Sequence, residues 1–293
     1  MIIVKLYTKL FFLKIVITTK LLYNYLMKNS LLKVGIIGLG LIGASLLKRL
    51  SQKKYEIFCY SKSSYKKAKK YSKFASDDIN IIKGCDIVFV CSKISETLNI
   101  LDELNKILDK NTIVVDVASV KEKKYKKYKF EFILSHPMAG SEKSGFNAAD
   151  ENLFVGAKWL VEKENKILEK IIKDTGAISL KFDMKKHNLA CAQISHLPAI
   201  LSFLLYDCAS DDSKQIASSG FRDTTRLAMT NSDLVFSMFK NNEENILKTF
   251  DLLTKKLNRL KNLSDNERIK LFEAIAQNRA KMYDKNGKNI FKI

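Results

Sequence analysis

A chain of 293 residues with 46% hydrophobic and 10% aromatic side chains can bury a substantial core, has room for two domains, and is too apolar to be disordered. Five cysteines without a CxxC pair exclude a disulfide framework and favour a reduced, cytoplasmic protein. The 51 Lys plus Arg against 31 Asp plus Glu give a net charge of +20. These cations are scattered among Ile and Asn, so codon bias explains them better than a nucleic-acid partner, while the field still draws in an anionic small substrate.

Residues 1–26 are apolar, but Lys5, Lys9, Lys14 and Lys20 interrupt them. No run there reaches the ~18 uninterrupted apolar residues of a membrane span, and no small-residue cleavage site follows. Residues 1–30 are expected to be an extension outside the fold. An over-called start ahead of Met27 accounts for them, with an uncleaved membrane anchor as the alternative; the folded part is expected to need no membrane.

Leu32–Ile37 reads as a short buried strand, followed at once by Gly38-Leu39-Gly40-Leu41-Ile42-Gly43 and a helical stretch to Leu50. Strand, glycine turn and helix in that order are the fingerprint of a dinucleotide pyrophosphate site, with Gly38, Leu39, Gly40, Leu41, Ile42 and Gly43 forming the cradle. The second strand, Tyr55–Tyr60, should end at an acid that holds the adenosine ribose. Ser61 and Lys62 stand there instead, a hydroxyl and a cation that favour NADP over NAD, with NAD kept open.

Apolar strands are predicted at 87–91, 112–117, 132–135 and 158–161, with an amphipathic helix from Glu96 to Leu108. Near-continuous apolar strands separated by helices predict a parallel sheet covered on both faces. Ser119 and His136 follow two of these strands, on the rim where ligands collect.

After Asp183 the pattern turns helical, over 186–207, 211–229, 233–260 and 264–283. The predicted architecture is therefore α/β: a Rossmann-like dinucleotide-binding domain over 31–183 and an all-helical domain over 184–293. Residues 190–205 carry few charges and would pack against a second copy, giving a homodimer. Pro198 is expected to kink this helix beside His196. Arg222 and Arg226 are spaced to share one side of a helix, suited to a carboxylate. No metal site is expected, because His187 and His196, nine residues apart, would face opposite sides of one helix.

Five motifs occur in one order: the glycine turn; Asp116-Val117-Ala118-Ser119-Val120-Lys121; His136-Pro137-Met138-Ala139-Gly140-Ser141-Glu142-Lys143-Ser144-Gly145; Ser195-His196-Leu197-Pro198; and Gly220-Phe221-Arg222-Asp223-Thr224-Thr225-Arg226. From about Leu32 onward the chain resembles the prephenate dehydrogenases. The resemblance implies a C-terminal dimerisation domain and an active site between the domains. It also implies NAD(P)-dependent oxidative decarboxylation of prephenate to 4-hydroxyphenylpyruvate in tyrosine biosynthesis, or the same step on arogenate. On the matching positions, His136 would take the hydroxyl proton, with an ordinary pKa near ~6.5 suiting that role, and Ser119 would orient it. Arg226 and His196 would bind substrate, with Gly220 and Glu142 contributing. Ser61, Asn188 and Phe236 depart from the pattern, where an acid, Asp and often Trp are usual. Rival readings are a β-hydroxyacid dehydrogenase using Lys185 or Lys186, and a cofactor-sensing protein without turnover.

Overall fold

The computed structural model describes residues 31–122, 124–141 and 143–284. The N-terminal extension and Glu142 therefore lie outside the described residues.

Strands β1 (Leu32–Ile37), β2 (Tyr55–Tyr60), β3 (Phe74–Ser76), β4 (Ile87–Val90), β5 (Ile113–Asp116), β6 (Glu131–Pro137), β7 (Lys158–Val161) and β8 (Ile178–Lys181) form one sheet. Their order is β3-β2-β1-β4-β5-β6-β7-β8. Helices α1 (Leu41–Leu50), α2 (Tyr65–Ala68), α3 (Ile94–Ile107) and α4 (Lys166–Thr175) connect them.

The first six strands pair in parallel, but β7 runs antiparallel to β6. The sequence reading had assigned Lys158–Val161 to a wholly parallel sheet. The connection from β6 contains only a short 3-10 turn, Phe146–Ala148. A parallel return requires a crossover, usually a helix, so the chain comes back antiparallel. Helix α4 supplies such a crossover, and β8 accordingly lies parallel to β7. The short β3 and the exposed edge strand β8 gave no sequence signal of their own.

Alternation along the central strands fills two layers. Val34, Ile36, Phe89 and Val115 pack with Leu46 and Leu47 of α1 and with Trp159. Ile37, Val88, Val90 and Val114 pack on the other face with Leu101 and Leu104 of α3.

A long rod opens the helical region. It comprises α5 (Met184–Cys191), a π-helical turn (Ala192–His196) and α6 (Leu197–Cys208). Pro198 cannot donate a backbone hydrogen bond, and the rod absorbs this by widening its register just ahead of the ring: Leu197 N–H bonds Ala192 O. Short helices α7 (Asp211–Gln215) and α8 (Ser219–Thr225) and the 3-10 turn Arg226–Met229 follow. The long helices α9 (Ser232–Asn262) and α10 (Asp265–Met282) close the described chain. Helix α9 breaks at Asn242, whose φ of −129° and ψ of 22° are not helical. Ser264 and Glu267 form a capping box that starts α10.

Candidate functional site

The glycine turn sits where strand order reverses, between β1 and β4, beyond the carboxyl ends of both. Each glycine has a distinct reason to lack a side chain. Gly38 adopts φ +85°, and a Cβ there would lie 2.8 Å from Cys91 O. A Cβ on Gly43 would fall 1.9 Å from Gly38 O, so α1 can approach the turn only without one. At Gly40 a Cβ would meet nothing within 4 Å, which leaves that face of the turn open. Gly40 caps α1 without a side-chain bond, and the first-turn N–H groups there are free of helical partners.

A cleft of about 610 Å³ opens onto this turn, lined by Gly38, Gly40, Ser61, Lys62, Ser92 and Lys93 among others. The Ser92 hydroxyl is buried without a hydrogen-bond partner. An open helix N-terminus, a cradle kept clear of side chains and an orphaned hydroxyl together fit a dinucleotide. Of the predicted cradle, Leu39 turns into the core, 3% exposed. Leu41 and Ile42 begin the helix and offer backbone rather than side chain. Ser61 is buried and its Oγ accepts from Ser64 N at 3.1 Å. Lys62 is exposed on the cleft.

Around His136 the two halves of the chain meet. His136, on β6, places Nδ1 2.9 Å from Nε2 of His187 on α5. His187 Nδ1 lies 3.1 Å from Asn188 Oδ1. The Asn188 amide is held in one orientation by the backbone of Lys121: Oδ1 accepts from Lys121 N at 2.8 Å, and Nδ2 donates to Lys121 O at 2.8 Å. Because Oδ1 only accepts, His187 must carry its proton on Nδ1 and present a lone pair at Nε2. His136 must then donate from Nδ1, which leaves Nε2 of His136 as the bare, basic nitrogen. His187 is thus a positioning residue for His136.

Burial, with the Lys121 ammonium next, holds His136 well below the ordinary histidine range. The same two causes bring His187 down to about 4. The depressed value replaces the ordinary one expected from sequence, and it keeps His136 neutral at physiological pH.

Lys121 is itself locked in place. Its Nζ donates to Asp116 Oδ2 at 2.8 Å and to Ser135 O at 2.6 Å. Tyr125 donates to the same Asp116 oxygen, and Trp159 Nε1 to Ser135 Oγ. This buried pair ties the loop after β5 to β6. Ser119 sits in that loop, half-buried, and makes no hydrogen bond to His136; His136 Nδ1 donates to His187 Nε2 instead.

His196 lies in the π-helical turn, 1% exposed. The Asn242 amide donates to its Nδ1 at 3.2 Å and to Asn188 O at 2.7 Å, and the break in α9 brings that amide into place. Nδ1 therefore accepts, Nε2 carries hydrogen, and burial takes the ring down to about 4. His196 is a neutral donor at Nε2.

Gly220 and Arg226 lie exposed on α8 and the turn after it, packed on α6. Asp223 pairs with Arg222 at 2.9 Å. Phe236 is 67% exposed.

Comparison with known proteins decides the family. Residues 44–178 match the prephenate dehydrogenase nucleotide-binding domain, and residues 183–277 match the prephenate dehydrogenase dimerization domain. The structure resembles that of Synechocystis arogenate dehydrogenase, with 30% identity and a TM-score of 0.72, covering 84% of this chain and 98% of that one. The chain belongs to the prephenate dehydrogenase family.

A second family structure, prephenate dehydrogenase from A. aeolicus in complex with hydroxyphenyl propionate and NAD+, is 26% identical with a TM-score of 0.75, covering 85% and 98% of the two chains. A Lactococcus lactis prephenate dehydrogenase is 32% identical over 199 residues, 62% of this chain. The match spans little more than half of the curated relatives, 56% and 57% of their lengths.

His187 and Asn242 form the part of the site that the sequence reading does not assign, and Asn188 enters it only as a departure from the family pattern. His187 was noticed only as a poor metal partner for His196. Its rarity, as one of three histidines in the chain, was the available signal. Asn242 gave none, since it interrupts an otherwise regular amphipathic helix.

Proposed function

We propose that this protein catalyses the NAD(P)-dependent oxidative decarboxylation of prephenate to 4-hydroxyphenylpyruvate, acting as a homodimer in the cytoplasm. The observation that carries this reading is the fixed hydrogen-bond sequence Asn188–His187–His136, which leaves Nε2 of His136, near the end of β6, as the unprotonated nitrogen. The reaction needs a base for the hydroxyl proton at the carbon that loses hydride, and His136 Nε2 supplies it. When bound on the glycine turn, the dinucleotide supplies the hydride acceptor. Departure of the ring carboxylate as CO2 then completes an aromatic ring.

His196 offers an N–H to a substrate oxygen, and Arg226 a guanidinium to a carboxylate. Ser119, on the loop between the anchored Asp116 and Lys121, is free to hydrogen-bond the reacting hydroxyl. Lys62 on the cleft favours the 2′-phosphate of NADP.

Dimerisation is supported by the exposed apolar side chains of the helical region, among them Ile194, Leu204 and Leu205 on the long rod. By length and composition alone that rod could cross a membrane. A second copy covering its exposed face accounts for the same hydrophobicity while leaving His187 and His196 packed against protein.

The similarity to an arogenate dehydrogenase favours arogenate as the second substrate to try. The deciding experiment follows absorbance at 340 nm with prephenate or arogenate crossed with NAD or NADP. Reduction with prephenate supports the proposal, reduction with arogenate alone replaces the substrate, and a folded protein silent in all four combinations refutes the activity. Lys62→Ala is expected to raise KM for NADP but not for NAD, and equal effects on both would remove the preference.

A further inference from the structure

We propose that His136, His187 and Cys191 form a binding site for a borderline-soft divalent cation, with zinc as the best-matched ion. Sequence reasoning looked for a metal site only in His187 and His196. The fold instead brings His136 across from the sheet to face His187 and Cys191, which are one helical turn apart on α5.

Their donor atoms form a triangle: 2.9 Å from His136 Nδ1 to His187 Nε2, 3.4 Å from Cys191 Sγ to His187 Nε2, and 3.8 Å from Cys191 Sγ to His136 Nδ1. All three lie within 4.8 Å of one another. Tetrahedral zinc with ordinary bond lengths sets nitrogen pairs about 3.3 Å apart and nitrogen–sulfur pairs about 3.6 Å apart. The triangle thus needs adjustments of only a few tenths of an ångström.

Two imidazoles and a thiolate are a zinc-type donor set rather than a magnesium or calcium one. The outer support is also present: His187 already gives its other ring N–H to Asn188 Oδ1, the arrangement that orients metal-bound histidines. His187 and Cys191 are buried, and His136 is mostly buried, the least so of the three. An incoming ion therefore reaches the site on the side of His136, the least buried of the three donors.

Binding releases one proton and changes no oxidation state. The Cys191 thiol gives its proton to solvent as sulfur bonds the metal. The His136 ring shifts its proton from Nδ1 to Nε2 as Nδ1 bonds the metal, ending its hydrogen bond to His187. Nε2 of His136 then bears hydrogen and can no longer accept a proton, so the ion blocks turnover. That last consequence rests on the proposed function; the binding site does not.

The test uses the full chain stripped with a chelator and titrated with cobalt(II). The expected result is saturation at one equivalent, with tetrahedral visible bands and a thiolate-to-cobalt charge-transfer band that zinc abolishes by displacement. Cys191→Ser should lose the charge-transfer band and weaken zinc binding by at least about tenfold. Cys208→Ser, at the exposed thiol, should lose neither. X-ray absorption of the zinc-loaded wild-type chain, which requires no variant, should show one sulfur and two imidazole nitrogens.

In the dehydrogenase assay, zinc should inhibit the wild type reversibly. Cys191→Ser should keep its rate in chelator and need at least about tenfold more zinc for half inhibition. An octahedral cobalt spectrum without charge transfer, or unchanged binding in Cys191→Ser, overturns the site. One-equivalent binding with the sulfur signature but without inhibition upholds the site and overturns His136 as the base.

Discussion

Asn188 cannot turn its amide over without breaking both bonds to Lys121, and this small constraint sets which nitrogen of His136 is basic. In metal-free buffer, kcat/KM should stay level as pH falls through 6.5, because the base form of His136 persists to well below that value. An acid limb centred at 6.5 or above would show that the ring is not buried during turnover. Asn188→Asp places an anion against His187, favours the protonated imidazoles and should move that limb up by about one pH unit. A merely structural role for Asn188 would lower activity at every pH without moving the limb. His136→Ala is expected to lower kcat by about 10²–10⁴ while leaving dinucleotide affinity intact, as a fluorescence titration would report.

Among the elements, the glycine turn separates folding from binding. Gly40→Ala meets no protein atom and has an ordinary φ of −74°, so its melting temperature should match the wild type. Its new methyl group points into space a pyrophosphate would use, and dinucleotide affinity should drop by about tenfold or more, roughly 1.4 kcal/mol. Gly43→Ala drives a Cβ into Gly38 O and should cost about 1–3 kcal/mol of stability, measured by urea unfolding. The reverse pattern would mean that the ligand lies elsewhere.

This turn was legible in the sequence because its reasons are local: one positive φ, one close approach and one open helix end. The bond between His136 and His187, 51 residues apart, has no local cause, nor does the Asn242–His196 contact over 46 residues. The antiparallel β7 was missed for a related reason. Strand direction is set by what the connection contains, not by the apolar run itself.

At the scale of the whole molecule, none of the residues of α10 is buried, and Ile269, Phe272 and Ile275 are more than half exposed. In proteins a helix draws most of its stability from packing an apolar face against a neighbour. The proposed dimer predicts that Phe272→Glu shifts the chain toward monomer in sedimentation velocity and lowers its melting temperature; unchanged association would place any interface elsewhere.

The buried neutral histidines also make stability depend on pH. His187 and His196 titrate near 4 in the folded chain, against an ordinary 6.5 when unfolded. Between those values the unfolded chain binds more protons. The stabilisation is therefore complete above 6.5 and is lost progressively as pH falls toward 4. Urea midpoints should decline through that window, and a flat profile there would show that the rings are solvated.

The contact from β6 to α5 also joins the two halves of the chain at a single imidazole pair. The dinucleotide cradle is complete within the sheet, but the nitrogen that must act as base is selected by a residue of the helical half. Without His187 beside it, nothing else among the described contacts would fix which nitrogen of His136 carries the proton. A substitution in the helical half can therefore change the proton chemistry of His136 while leaving the glycine turn untouched.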